Sequence, residues 1–285
     1  MRRFMAAASV AVVLSGALAA CGSSGGGNGG GSASPSASTT SCTKSGIQHL
    51  LFKPGVLTVA TDNPAYPPWF AHNDPSNGKG YESAVAYAVA AQLGFSKSQV
   101  TWVHEPFNSS YGPGPKAFDF DINEVSVTPT RAQSVTFSNS YYDVQQAIVA
   151  LKGSPIATKH SPAQLKTYLY GDQIGTTGLT FINSVIQPTK QPKVFNTLSD
   201  ATAALKARRI DAMVVDTPDA LFISGGTLIA QFPSTGEHYG LVFAKGNPLV
   251  TCVNKALATL TSNGTIAGLA KQYLSIYQKF PTIKP

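Results

Sequence analysis

The chain is poor in charge. Of its 285 residues only 12% are Asp, Glu, Lys or Arg, against roughly 25% in a typical domain. Beyond Arg2 and Arg3, only Arg208 and Arg209 stand side by side as basic neighbours. No basic run interleaved with aromatics occurs, which excludes the usual footprint of a nucleic-acid binder. The five histidines, His49, His72, His104, His160 and His238, are isolated, with no pair at i, i+4, so no metal site is expected. Gly-x-Ser-x-Gly, the nucleophile elbow of one hydrolase class, is missing. So are Gly-Lys-Ser/Thr, which cradles nucleotide phosphates, and the glycine-rich dinucleotide fingerprint. No apolar run after Cys21 is long enough to cross a bilayer, which argues against a receptor in cis. What remains are groups for holding a molecule and few for reacting with one. No enzyme and no cofactor is expected.

The N-terminal segment is organised for export. Residues 1–20 carry Arg2 and Arg3, then an apolar run to Leu18, then small residues, the pattern of a secretory leader. Leu18-Ala19-Ala20-Cys21 resembles the bacterial lipoprotein signal, in which the cysteine receives lipid. An ordinary cleavage site is the alternative. Residues 22–41 are nearly all Gly, Ser, Ala and Thr and read as a flexible tether with a mean reach of roughly 25 Å. Removal of the leader lowers the formal charge from +7 to +5. Of the three cysteines, Cys42 and Cys252 are left in the exported domain. An even number in an oxidising compartment favours a disulfide between them over two thiols.

The rest reads as alternating strands and helices, an α/β pattern. Residues 55–61 form a buried strand. It runs into Asp62-Asn63-Pro64-Ala65-Tyr66-Pro67-Pro68-Trp69-Phe70, whose prolines fix the backbone and hold three aromatics, either against a ligand or against the core. Residues 80–94 form a helix with Tyr81, Val85, Val89 and Leu93 on one stripe and Gly94 as its end. Residues 100–103 and 146–151 are strands, the latter apolar throughout. Residues 161–170 are expected to be helical. Gly175-Thr176-Thr177-Gly178 precedes a helix from about 179 to 186 and offers free N–H groups to an anion, or forms a simple turn. A helix over 199–208 leads to the strand 212–215, and Asp216 sits at that strand's end. There it either meets a ligand, as strand ends of α/β sheets do, or caps a helix. Helices at 247–264, with Val250, Val253, Leu257 and Leu260 inward, and at 265–279, with Ile266, Leu269, Tyr273 and Tyr277 on one face, close the chain.

Residues 118–142 hold the most pointed pattern. Phe118, Phe120 and Ile122 alternate with Asp119, Asp121 and Asn123, which reads as a strand with one buried face. Asp119 and Asp121 are then expected to be surface charge. The strand ends at Thr128-Pro129, and Arg131 follows. Asn123, Ser126, Thr128 and Arg131 together suit a pocket for a carboxylate, because a guanidinium grips one with two bonds. An exposed arginine in a turn is the other reading.

Taken together, residues 57–69, 80–94, 118–142, 174–178, 209–216 and 239–257 resemble the family 3 extracellular solute-binding proteins, which feed polar amino acids to ABC importers. The resemblance implies a type II periplasmic-binding-protein fold of two lobes, each a sheet flanked by helices, with the ligand cleft between them. Residues 42–143 with 245–285 would form lobe 1 and residues 144–244 lobe 2, with crossovers near 143–148 and 239–243. It further implies that Arg131 clamps the ligand α-carboxylate with help from Thr177 and Gly178. Asp216 and Ser126 would take the α-ammonium, and Asp62, Tyr66 and Trp69 would border the side chain. Asn123 and Glu124 depart from the small residues usual there. Glu124 in the cleft would favour a cationic or amide-bearing ligand, or it turns into solvent. The expected partners are a free amino acid, a permease and, through the N-terminal lipid, the outer face of the cell membrane, with the protein a monomer. An exported dehydratase-like enzyme and a ligand-sensing module are the rival readings.

Overall fold

A computed structural model of the chain describes residues 41–159, 161–223, 225–275 and 282–283. The leader, Cys21 and the tether up to residue 40 lie outside the described residues, as do Tyr277 and the expected end of the last helix.

Strand β1 (Leu57–Thr61) is buried along its whole length. A strand with both faces covered needs neighbours on both edges, and β1 has them. It pairs in parallel with β2 (Val100–His104) and with β3 (Phe120–Asp121). Strand β10 (His238–Ala244) then runs antiparallel to β3 and to β4 (Val135–Asp143), giving a five-stranded sheet in the order β2-β1-β3-β10-β4. Helix α1 (Tyr81–Gln92) covers this sheet through Tyr81, Val85 and Val89, and also through Glu82, Ser83, Ala86 and Ala90. The buried face is therefore wider than the expected stripe and includes two polar residues, Glu82 and Ser83. Gly94 follows with φ +86, the left-handed position that ends helices at glycine. Helices α2 (Phe107–Ser110) and α3 (Arg131–Ser134) are single turns at the sheet's edge.

Strands β5 (Gln146–Leu151), β8 (Ala212–Asp216) and β9 (Gly226–Gln231) form a second, antiparallel sheet with β5 in the middle. Its apolar run is explained by two separate cores. Ile148, Ala150, Ala212 and Val214 pack into one, while Ala147, Val149, Met213 and Val215 pack into the other, so successive side chains alternate between two covered faces. A parallel pair, β6 (Gly171–Gln173) and β7 (Lys193–Phe195), adjoins it through a bridge from Tyr170 to Ala212. The helices here are short. α4 (Pro162–Leu165) stops well before residue 170, and α5 (Thr177–Phe181) starts earlier than expected and continues as a wide turn over Ile182–Ile186. α6 (Leu198–Lys206) is capped by Thr197, whose side chain accepts from the Asp200 N–H at 3.1 Å. α7 (Thr217–Ala220) follows β8 directly. Helices α8 (Leu249–Ser262) and α9 (Thr265–Leu274) return to the five-stranded sheet, burying Val253, Leu257, Leu260 and Leu274 in the same core as β1 and α1.

The structure departs from the sequence reading at four places in the frame. Strand β3 is two residues long, and Asp119 and Asp121, expected on the surface, are 1% and 0% exposed. Asp119 is held there because it accepts the Thr58 and Phe52 backbone N–H groups, each at 2.6 Å. Residues 239–243, expected to cross between lobes, lie wholly inside the five-stranded sheet; the chain passes from one sheet to the other over residues 232–237, before β10 begins. Ile283, expected in lobe 1, is buried in a core of the β5 sheet, with its N–H donated to the Gln231 carbonyl at 2.8 Å. Trp69, expected on the ligand wall, is fully buried among Tyr81, Tyr142 and Tyr239. The structure joins Cys42 to Cys252, 210 residues apart, with Cα atoms at 5.1 Å. In a chain-entropy account such a link adds about 2–4 kcal/mol.

Candidate functional site

A cavity of about 490 Å³ opens between the five-stranded sheet and the β5 sheet, within the range of ligand pockets. One wall carries Arg131. Thr128-Pro129 ends the preceding extended segment, and the Arg131 N–H then bonds the Thr128 hydroxyl at 3.2 Å, which turns the chain into α3 and aims the guanidinium inward. Nη1 donates to the Ser126 carbonyl at 2.7 Å and Nη2 to the Gly175 carbonyl at 2.9 Å. The guanidinium carbon lies 4.2 Å from the ring centre of Tyr111 and 5.4 Å from that of Phe107. Arg131 is only 7% exposed, and burial pulls its pKa down, partly offset by Tyr111 and by Asp216 and Glu237 further off. Yet no carboxylate is in ion-pair contact with it. Among the described residues the one ion pair is His104 with Asp62, at 3.2 Å. A buried guanidinium with donors to spare and no counter-ion is unusual, because buried charges are normally paired.

The opposite wall is acidic. Asp216 ends β8 and makes no capping bond to α7. Its Oδ1 accepts from Gln146 Nε2 at 2.5 Å, and its Oδ2 accepts from the Tyr239 hydroxyl. Burial, reinforced by Glu237 and Asp219, raises its pKa. Ser126 lines the cavity, but its hydroxyl donates to Glu237 Oε1 at 2.7 Å, and Gln146 Nε2 reaches Glu237 Oε2 at 2.9 Å. Gln146, Glu237, Ser126 and Asp216 thus form one network, of which the sequence reading named only the last two. Thr177 accepts weakly from Gln146 Nε2 at 3.3 Å. Gly178 is fixed by space, since a Cβ there would sit 2.0 Å from the Val214 carbonyl oxygen.

Glu124 lines the cavity and does not turn into solvent. It sits at φ +55, and its N–H is anchored on Glu82 Oε1 at 2.7 Å. Glu82 is fully buried on α1. The Glu124 carboxyl hydrogen-bonds that of Asp219. Asp219 in turn accepts the Trp69 indole N–H at 2.5 Å, so Trp69 acts on the cavity from behind and is absent from its wall. Burial raises the pKa of both carboxyls, and their mutual repulsion raises that of Glu124 further. Asp219 was legible in Asp216-Thr217-Pro218-Asp219: a spacing of three places both carboxylates on one side of a helical turn. Asp172 also lines the cavity; burial pushes its carboxyl up to about 8. Asp62, Tyr66 and Asn123 complete the expected set on the cavity. Asp62 accepts the Phe107 N–H at 3.3 Å. The Tyr66 hydroxyl bonds Ser199 Oγ on α6 at 2.6 Å, spanning the two halves.

The cavity thus sets a guanidinium with no carboxylate in contact against a wall of carboxyls, with Tyr66 and Ser199 joining the two sheet systems beside it. Residues 57–276 match the family of bacterial extracellular solute-binding proteins, family 3, and the chain belongs to that family. The chain is 28% identical over 239 residues to a histidine-binding periplasmic protein of Salmonella typhimurium, covering 77% of this chain and 88% of that one. It is 25% identical over 240 residues to an L-arginine-binding protein of Pseudomonas aeruginosa, covering 76% and 90% respectively. Among solved structures, an ancestral arginine-binding protein bound to arginine superposes with a TM-score of 0.65 at 26% identity, over 77% of this chain and 98% of that one. The fold is the two-lobed type II architecture of these proteins, and the chain is a solute-binding protein rather than an enzyme.

Proposed function

We propose that the protein captures one free polar amino acid between its lobes and delivers it to the permease of an ABC importer. Lobe 1 is then residues 42–143 with 238–275, and lobe 2 is residues 144–237 with 282–283, a division that follows the sheets. The ligand α-carboxylate takes the place of the missing counter-ion at Arg131, helped by the Thr177 hydroxyl. The α-ammonium lies against Asp216, with Gln146 and the Tyr239 hydroxyl holding that carboxylate in place. The observation that carries this reading is the buried Arg131 guanidinium with no carboxylate in contact. Bridging a cation on one lobe and an anion on the other gives the closed state the differential affinity that closure requires. A lipidated Cys21 at the end of a flexible segment keeps the monomer on the outer face of the membrane, close to its permease.

A thermal-shift screen of the exported domain against the twenty amino acids tests the proposal. A ligand present at a hundred times its Kd raises stability by about 2.7 kcal/mol, so a bound amino acid stands out from the rest. No shift with any of them sinks the reading.

A further inference from the structure

Placing a zwitterion between Arg131 and Asp216 leaves four carboxyls on the cavity, those of Asp62, Glu124, Asp172 and Asp219, and the second and last of these are in contact with each other. Glu124 and Asp219 come from different elements, one after β3 and the other on α7, and their side chains meet. Two carboxylates cannot share a buried contact while both are ionised, so one keeps its proton and donates it to the other. We propose, on the footing of the reading above, that the Glu124–Asp219 pair is the subsite for the ligand side chain, that it selects a cationic head group, and that the cation expels the proton the two carboxyls share.

The surroundings leave that proton nowhere else to be neutralised. No Lys or Arg among the described residues is in ion-pair contact with either carboxyl. On the α1 side stands Glu82, which holds the Glu124 N–H and accepts the Tyr141 hydroxyl. On the β8 side stands Asp216, and from β6 Asp172 feels Asp219. All three are acidic, and Glu82 and Asp216 raise the proton affinity of Glu124. The phenols of Tyr66, Tyr142 and Tyr239 also face the pair and are neutral hydrogen-bonding groups. The indole N–H of Trp69 orients Asp219 without supplying charge. A guanidinium, imidazolium or ammonium head is the charge this cluster lacks. On its arrival both carboxyls ionise and one proton leaves to solvent. A neutral head of the same shape meets the protonated pair and expels nothing.

L-arginine and its uncharged isostere L-citrulline separate the two cases. Titration calorimetry of the full exported domain, in two buffers of different ionisation enthalpy, counts the protons. The expected result with arginine is release approaching one proton from the pair. Affinity then falls about tenfold for each pH unit below the pair's ionisation. Citrulline, which shares only the α-ammonium contact with Asp216, should release about one proton fewer than arginine and show the shallower pH dependence. Glu124→Gln should weaken arginine by at least about thirtyfold, abolish the extra release and remove the preference for arginine. Asp219→Asn serves as a second variant, and an unchanged far-UV spectrum checks that each is folded. Arginine bound without that extra release, or bound no better than citrulline above neutral pH, overturns the inference and leaves amino acid capture standing. So does strong binding of an uncharged amino acid alone. Failure of the wild-type domain to bind any amino acid takes down both.

Discussion

Replacing Arg131 by alanine tests the site at its centre. Arg131 is 7% exposed; its guanidinium donates to two backbone carbonyls and also lies against the Tyr111 ring and hydroxyl. Two opposing effects follow from its removal. The free protein loses two hydrogen bonds, about 1 kcal/mol each, but it also loses a buried cation without a counter-ion, which is itself unfavourable. The two nearly offset, so the free variant should melt within a few degrees of the wild type. Binding has no such compensation. The ligand carboxylate would be desolvated against Tyr111 and Phe107 with its charged partner gone, and truncating one member of such a pair costs about 2–5 kcal/mol, or roughly thirtyfold to several thousandfold in Kd. Arg131→Lys should recover part of this, because it restores charge without the planar fork. Titration calorimetry on folded protein reads the difference. An affinity within about threefold of wild type for Arg131→Ala would remove the residue from the site and with it the proposed orientation of the ligand.

Two further changes probe the frame around the site. Gly178→Ala places a methyl 2.0 Å from the Val214 carbonyl oxygen and 2.7 Å from Asp172 Oδ2; neither neighbour has room to move, so stability should fall by about 1–3 kcal/mol, read as a lower urea midpoint with an unchanged slope. Asp172 gives a pH signature. Its folded pKa is about 8 because of burial, whereas an unfolded carboxyl ionises near about 3.9. Between those values the folded state binds the extra proton, so stability declines as pH rises, by up to about 1.4 kcal/mol per unit. Asp172→Asn should remove that slope, gaining on the wild type between about pH 4 and about pH 8; urea unfolding at both ends with equal differences would sink the assignment.

Much of this protein was legible before any coordinates. Apolar runs at 57–61, 146–151 and 212–215 mark strands covered on both faces, and their period needs no tertiary information. Arg131 was legible as well, because Thr-Pro ends a strand by removing a donor and leaves the next polar residue at the sheet's edge. Local pattern failed where long-range contact outweighed it. Asp119 and Asp121 alternate like an exposed face, yet Asp119 is drawn inside by backbone N–H groups about sixty residues away in the chain. Trp69 sits in a loop that looks like a ligand wall, but three tyrosines from α1, β4 and β10 enclose it.

The sequence by itself determined which segments are strands and which residues can carry charge, because periodicity and proline act over a few residues. Only the tertiary structure decided which charges meet. Glu124 and Asp219 are ninety-five positions apart and carry no mutual signal; a left-handed turn at one and a single helical turn at the other bring them together. The pairing of like charges depends on how two halves close, and closure is a property of packing that no short stretch of chain encodes.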